Sequence, residues 1–225
     1  MVTRRAQGLR YARSMSGDRE LVQIVDAALA EAVRKCGPWL VCRPGCAECC
    51  MGLFPITQLD AQRLREGLTE LEARDSERAA RVRRRAREAM ARILPDFPGD
   101  ASTGVLGEDP QSEERFAGLL EDQPCPALDP VNGTCDLYAA RPITCRIFGP
   151  PMGPGSLALG VCELCFRGAS DREIAACEVE VDAGGLESRL LDELERNTGA
   201  RGQTIVAFAL AGHQANAQAR SPAST

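Results

Sequence analysis

Four cysteines within nine residues constrain this chain more than any other feature of its sequence. The run from Cys42 to Cys50 has the spacing C-x3-C-x2-C-C, and Pro44 and Gly45 lie between its first two cysteines. Both residue types disfavour regular secondary structure, so this segment is predicted to be irregular. Cysteines close in sequence bring several sulfur atoms together at little cost in chain entropy. The segment is therefore a candidate for holding a metal.

A second group of cysteines follows later in the chain. Asn132-Gly133 favours a tight turn, so Cys125 and Cys135 are expected side by side at the base of a hairpin-like loop. Cys162 and Cys165 form a local C-x2-C pair. The two groups together supply nine predicted metal ligands, enough for two four-thiolate sites with one to spare. They are Cys42, Cys46, Cys49, Cys50, Cys125, Cys135, Cys145, Cys162 and Cys165.

Some of the cysteines have a second interpretation. Cys49 and Cys50 are adjacent, so their side chains diverge and only one is expected to bind the same metal as its neighbours. The other is either a sulfur of a second shell or second site, or a small buried apolar side chain. Cys36 and Cys177 fall on predicted helix faces, which favours a core position for both.

Composition and charge narrow the functional classes. A chain of 225 residues fits one domain, and its net charge of −5 argues against a general nucleic-acid binder. No stretch approaches the roughly 20 apolar residues of a membrane helix, and no apolar segment follows the basic start. The expected location is the cytoplasm, where thiols stay reduced. There, a dense cysteine pattern, here with an odd count of 11, favours metal over disulfides.

The chain contains almost no histidine to serve as a catalytic base or metal ligand. His213 is the only histidine, so Cys–His or Ser–His catalysis and mixed Cys/His zinc sites are disfavoured. Arg141 and Arg146 stand beside the cysteines in sequence and are predicted to bind the cofactor, because guanidinium groups would offset its negative charge. The alternative is that both are solvated surface charges. The arginine run over residues 81–87 is interpreted as a solvated helix face.

Hydrophobic periodicity predicts helices over much of the remaining chain. They cover residues 18–36, 58–73, 76–93, 113–121, 170–177 and 186–196. Thr57 with Asp60, and Ser170 with Glu173, have the spacing of capping boxes. Residues 95–112 are predicted to form a loop. The apolar run 204–210 fits a strand or a buried helical turn equally well.

These elements predict a mainly α fold: a small irregular helical domain whose cysteine-rich loops are organised around a metal site. The predicted division is a flexible arm over residues 1–16, one metal-binding domain over 17–212 and a disordered tail over 213–225.

The cysteine motifs resemble the YkgJ-type cysteine-cluster family, described as a zinc- or iron-chelating domain. C-x3-C-x2-C-C is followed by C-x-x-L at Cys125 and by C-x-x-Y-x-x-R-P-x-x-C-R from Cys135 to Arg146. The segment Phe54-Pro55-Ile56-Thr57 is also similar, and the resemblance spans roughly residues 38–166. It implies metal chelation by the cysteines. Some relatives are lysine N-methylases that act on flagellin and are associated with an iron–sulfur cluster, but this chain is shorter.

A radical S-adenosylmethionine enzyme is a rival interpretation, because Cys42, Cys46 and Cys49 have the three-cysteine spacing of its [4Fe–4S] cluster. Such enzymes alternate strands and helices, whereas the flanks here are predicted to be helical. The sequence thus predicts a protein that holds zinc or an iron–sulfur cluster such as [4Fe–4S], with no nucleic-acid or membrane partner. Thiolates suit both metals, so the choice stays open. The alternative is an iron–sulfur enzyme resembling the lysine N-methylases.

Overall fold

The computed structural model describes residues 4–42, 45–119, 122–153 and 162–212, with side chains from residue 16 onward. Helices dominate these ranges, as the sequence predicts. They are α1 (Arg4–Cys36), α2 (Gln58–Arg74), α3 (Ser76–Ile93), α4 (Pro110–Ala117), α5 (Ile143–Ile147), α6 (Asp171–Ala176), α7 (Leu186–Thr198) and α8 (Val206–Ala211). Single 3₁₀ turns cover Gly37–Trp39, Glu48–Cys50, Leu94–Asp96 and Tyr138–Ala140.

Strands are short and pair two at a time. They are β1 (Ile56–Thr57), β2 (Gly99–Asp100), β3 (Val105–Leu106), β4 (Leu128–Asp129), β5 (Thr134–Cys135) and β6 (Gln203–Thr204). All three pairs, β1 with β6, β2 with β3 and β4 with β5, are antiparallel. The described ranges therefore lack the strand–helix alternation that a radical S-adenosylmethionine enzyme requires.

Helices α2 and α3 form the centre of the largest core cluster. Thr57 and Asp60 make the predicted capping box at the start of α2, and Asp75 accepts a hydrogen bond from the Arg78 N–H to cap α3. The apolar faces of both helices are buried against each other and against α8. Burial of each large aliphatic side chain contributes roughly 1.5–3 kcal/mol, so this cluster is the main support for the segments that α2 carries.

The apolar run 204–210 contains both of the elements between which the sequence left a choice. Thr204 ends β6 and pairs with Ile56 of β1, whereas Val206 begins the buried helix α8. A strand of two residues is too short for periodicity to separate it from a helix.

Helix α1 forms a second cluster with α5 and α7. Leu21 and Val25 pack with Ile143 and Ile147 of α5 and with side chains of α7. The end at Cys36 agrees with the prediction, but the helix begins at Arg4 rather than at residue 18. The backbone of residues 4–16 is thus helical where a flexible arm is predicted, while the division into arm, domain and tail stays a prediction.

Three other sequence expectations can be compared with the structure. The loop predicted over 95–112 contains the β2–β3 hairpin, and α4 begins at Pro110, earlier than predicted. The Ser170–Glu173 capping box is confirmed. The tail over 213–225, with His213, lies outside the described residues. Within the described part, no helix is both long and apolar enough to span a membrane.

Candidate metal centre

Cys49 and Cys50 lie against Cys125 because two short segments pair in antiparallel fashion. The Cys125 N–H donates to the Cys50 carbonyl at 2.7 Å, and the Gly52 N–H donates to the Gln123 carbonyl at 3.0 Å. A bridge between Met51 and Pro124 lies between these hydrogen bonds. The backbone itself therefore joins the two cysteine groups that the sequence separates.

A hairpin then brings Cys135 back to the same place. Strands β4 and β5 pair Leu128 with Cys135, and the turn between them places Gly133 at φ +67°, where a side chain would be strained. The hairpin predicted from Asn132-Gly133 is thus present. The Leu128 N–H donates to the Cys125 carbonyl at 2.9 Å, which closes the turn at the hairpin base.

A buried carboxylate holds this hairpin on helix α3. Asp136, directly after Cys135, has a side chain that is 1% exposed and forms ion pairs with both Arg78 and Arg85. Arg85 also donates to the Pro126 carbonyl at 2.8 Å. Arg85 thus belongs to the support of the site, whereas the sequence interpretation places the whole arginine run on a solvated face.

Cys145 reaches the group from helix α5, which a second buried carboxylate positions. Asp60 Oδ1 accepts a hydrogen bond from the Ile143 N–H at 2.9 Å, at the first residue of α5. The same oxygen accepts from Arg63 at 2.6 Å, and Arg63 also pairs with Asp18 of α1. This network ties α1, α2 and α5 together at the turn that carries Cys145.

Arg146 and Arg141 have different surroundings. The buried guanidinium of Arg146 pairs with Asp26 at 2.7 Å and donates to the Ala139 and Arg141 carbonyls. Arg146 therefore holds the backbone on either side of residue 140 in place. Arg141 stacks on the Tyr138 ring, 3.8 Å from its centroid. Its positive charge opposes the upward pKa shifts of the Cys49 and Cys135 thiols. The cofactor-binding role of both arginines stays a prediction.

Five cysteines make up what we call the central thiol group, which consists of Cys49, Cys50, Cys125, Cys135 and Cys145. A hydrogen bond with Cys50, together with burial, raises the pKa of Cys49. Burial raises the pKa of Cys125 to about 12 and that of Cys145 well above its ordinary value, with neighbouring thiols of the group adding to both shifts. Without a metal, Cys49, Cys125 and Cys145 are therefore neutral thiols at pH 7.

Backbone N–H groups point at the sulfur atoms of the central thiol group. The Ala127 N–H donates to the Cys125 sulfur and the Leu137 N–H donates to the Cys135 sulfur, and each contact lowers the thiol pKa. Such donors stabilise the thiolate form, which is the form that binds metal. The donor set of sulfurs with amide support fits a metal that prefers thiolates.

The remaining cysteines make up a second set, which we call the terminal thiol group. It consists of Cys36, Cys42, Cys46, Cys162, Cys165 and Cys177. Cys36, Cys162, Cys165 and Cys177 are buried together beside Trp39 and Phe166. The Cys42 thiol is hydrogen-bonded to Cys165 and interacts with Cys162 and Cys46. The predicted ligands are thus divided between two places in the fold.

Neither group has the geometry of a loaded site. Among the described residues, no three Cys, His, Asp or Glu side chains converge closely enough to hold a metal ion. A groove of about 460 Å³ lies nearby between α1 and the Tyr138–Ala140 turn. Its lining includes Leu29, Tyr138 and Arg141 but no cysteine. The roles of the nine cysteines as ligands therefore stay predictions.

Sequence reasoning did not single out the carboxylates that position this site. Asp60 is visible in the sequence only as a capping residue, although it also binds Arg63 and the start of α5. Asp136 is one acidic residue among many, and its position next to Cys135 is the sole signal. Their partners are distant in sequence, so no local pattern identifies them.

Comparison with known families matches the part of the chain that contains the central thiol group. Residues 41–152 match the family model CxxCxxCC, whose description reads "Putative zinc- or iron-chelating domain". Residues 41–152 are a CxxCxxCC domain. The domain includes every cysteine of the central thiol group, whereas Cys162 and Cys165 lie beyond its matched end. No curated protein and no solved structure matches the chain.

Proposed function

We propose that this protein binds zinc or iron, the latter as an ion or in an iron–sulfur cluster, through thiolates of the central thiol group. One observation carries the proposal: backbone pairing sets Cys50 beside Cys125, and the β4–β5 hairpin returns Cys135 to the same region. Backbone N–H groups that donate to the Cys125 and Cys135 sulfurs support it. The zinc- or iron-chelating description of the CxxCxxCC domain supports it. Thiols need reducing conditions to stay available, which the cytoplasm provides.

Metal binding at this group is coupled to proton release. Each cysteine must lose its proton to become a ligand, so occupation of a four-thiolate site releases four protons to solvent. The resulting site has a formal charge of −2 with either Zn²⁺ or a [4Fe–4S]²⁺ cluster. Arg141, whose charge already acts on Cys49 and Cys135, offsets part of that charge. Arg146 contributes by holding the Ala139 and Arg141 carbonyls.

Anaerobic purification followed by metal and acid-labile sulfide analysis tests this proposal. We expect at least one zinc or iron per chain in the wild type. Zinc without sulfide identifies a zinc site, whereas iron with sulfide identifies a cluster. A metal-free protein that is folded and indifferent to chelators would overturn metal binding altogether.

Two matched variants locate the site. Cys135→Ser removes a sulfur of the central thiol group and is expected to lose its metal. Cys177→Ser removes a buried cysteine that lies outside the CxxCxxCC domain and is expected to keep that metal. Equal losses in the two variants would contradict the assignment to the central thiol group.

A further inference from the structure

Four members of the terminal thiol group come from a C-x3-C motif and a C-x2-C motif. Cys42 and Cys46 precede the central thiol group in sequence, and Cys162 and Cys165 follow the CxxCxxCC domain. Cys42 is hydrogen-bonded to Cys165, and its next strongest partners are Cys162 and Cys46. The strongest thiol partners of Cys125 and Cys145, in contrast, are in the central thiol group. The two sets are thus separate.

Cys162 and Cys165 lie at the two ends of one closed backbone turn. The Cys165 N–H donates to the Cys162 carbonyl at 2.8 Å, which closes the turn. Phe166 follows at φ +56°, a left-handed conformation that is unfavourable for a bulky side chain. Such strain persists only where the surroundings enforce it, and it concentrates at functional sites. Here the Phe166 N–H donates to the Trp39 carbonyl at 3.0 Å, which fixes the turn against the end of α1.

The residue before Cys42 contacts Cys165. The Val41 N–H donates to the sulfur of Cys165, which is the kind of amide support that orients a thiolate ligand. Cys42 itself is exposed, so a metal ion has access from solvent. A Cβ added at Gly149 would contact the Cys42 sulfur at 3.5 Å, so the backbone at Gly149 also passes close to this sulfur.

Cys36 and Cys177 are left out of the proposed ligand set because both side chains belong to the apolar core. The Cys36 thiol donates to the Cys177 carbonyl at 3.7 Å, and the two side chains are 2% and 4% exposed. Both lie in the apolar cluster with Phe166, against which Trp39 packs. Cys162 and Cys165 are buried in the same cluster.

We propose that Cys42, Cys46, Cys162 and Cys165 form a second metal site, separate from the central thiol group, that takes one thiophilic divalent ion such as Zn²⁺. Four cysteines leave no open coordination position, which is the arrangement of a structural zinc site. The ion replaces four thiol protons, which pass to solvent. The site fastens the segment that carries Cys162 and Cys165 to Cys42, Cys46 and the end of α1. This proposal rests on the proposed function, to which it adds a second ion and its ligands.

Anaerobic titration of the reduced, chelator-stripped protein with Co²⁺ counts the sites, because thiolate-bound cobalt has an intense near-ultraviolet charge-transfer band. We expect two equivalents in the wild type and one in Cys162→Ala/Cys165→Ala. The matched control Cys36→Ala/Cys177→Ala is expected to bind two. A wild type that binds one equivalent, with no change in Cys162→Ala/Cys165→Ala, would overturn the second site alone. A wild type that binds none would overturn the second site, whereas the metal and sulfide analysis decides the proposed function separately. A control that binds one would overturn the ligand set.

A measurement on the unmodified chain covers the case in which the double variant does not fold. Iodoacetamide alkylation of Cys42, followed by mass spectrometry, reports on a ligand that is exposed without metal. We expect saturating Co²⁺ to slow alkylation of Cys42 at least tenfold. Equal alkylation of Cys42 with and without Co²⁺ would overturn the second site even if the central thiol group is loaded.

Discussion

The carboxylate of Asp60 accepts hydrogen bonds from three parts of the molecule. Its donors are the Thr57 N–H at 3.4 Å, Arg63 at 2.6 Å and the Ile143 N–H at 2.9 Å. The side chain is 1% exposed, so water cannot replace a lost partner. Asp60 thereby couples the start of α2 to the start of α5, which carries Cys145.

We expect Asp60→Ala to lower the free energy of unfolding by about 3–5 kcal/mol, because it leaves Arg63 and the Ile143 N–H buried without this acceptor. Urea denaturation of the metal-free protein measures the change. Glu88→Gln, which breaks the exposed pair with Arg84, is the control and is expected to change stability by less than about 1 kcal/mol. Similar losses in both variants would contradict a special role for Asp60.

Glu187 lies beside the same network and titrates near neutrality. Burial raises the pKa of Glu187 from 4.5 to about 7; Asp60, Asp182 and Asp18 add to the shift and Arg63 opposes it. The folded state therefore holds a proton that the unfolded state releases between about pH 4.5 and pH 7. Stability from this group is present below pH 4.5 and is lost as the pH rises through 7.

Glu187→Gln removes the loss of stability at high pH, since the amide side chain does not ionise and carries no charge to bury. We expect the variant to be more stable than the wild type by about 1–3 kcal/mol at pH 8, with the difference vanishing near pH 4.5. Urea denaturation of both proteins across this range tests it. A stability difference that does not depend on pH would show that ionisation of Glu187 is not its cause.

At the scale of elements, the site depends on a close approach between α2 and the Tyr138–Ala140 turn. A Cβ added at Gly67 in α2 would overlap the Cβ of Ala140. Ala140 ends the turn that connects the hairpin carrying Cys135 to the helix carrying Cys145. The absence of a side chain at Gly67 thus sets how closely both cysteines can lie to α2.

We expect Gly67→Ala to lower the free energy of unfolding by about 1–3 kcal/mol through overpacking. Helix propensity alone predicts the opposite sign, a gain of about 1 kcal/mol. Gly184→Ala is the control, because a Cβ there meets no atom within 4 Å. Thermal unfolding of the three proteins decides between the two effects, and a stabilised Gly67→Ala variant would contradict the close contact.

At the scale of the whole molecule, metal binding would join segments that are far apart in sequence. The central thiol group combines the cysteines at positions 49, 50, 125, 135 and 145. The terminal thiol group combines those at positions 36, 42, 46, 162, 165 and 177. A ligand that binds only the folded state stabilises it in proportion to the logarithm of its concentration over Kd. Removal of metal should therefore loosen several segments together.

We expect chelator treatment to lower the unfolding midpoint and readdition of the native metal to restore it, since metal-binding free energy is folding free energy here. Paired denaturation curves before and after chelation, under reducing conditions, measure the effect. The two curves would coincide if neither thiol group binds a metal that contributes to the fold.

Local sequence patterns were enough for the elements with local causes. The Thr57 and Ser170 capping boxes, the hairpin at Asn132-Gly133 and the limits of α3 each depend on neighbours within a few residues. The cysteine motifs likewise sufficed to recognise the zinc- or iron-chelating domain. The start of α1 and the strand–helix junction at Ile205 were not predictable, because their apolar patterns are weak or very short.

The sequence by itself determined that this protein is mainly helical and that it contains a CxxCxxCC domain, because helix periodicity and cysteine spacing are local properties. The tertiary structure alone decided which cysteines become neighbours. It pairs Cys50 with Cys125 and sets Cys42 beside Cys165. It also binds Asp60 to the start of α5 and Asp136 to α3, next to residues of the central thiol group. Those contacts arise from long-range backbone pairing and buried charge, which have no signature in the order of the residues.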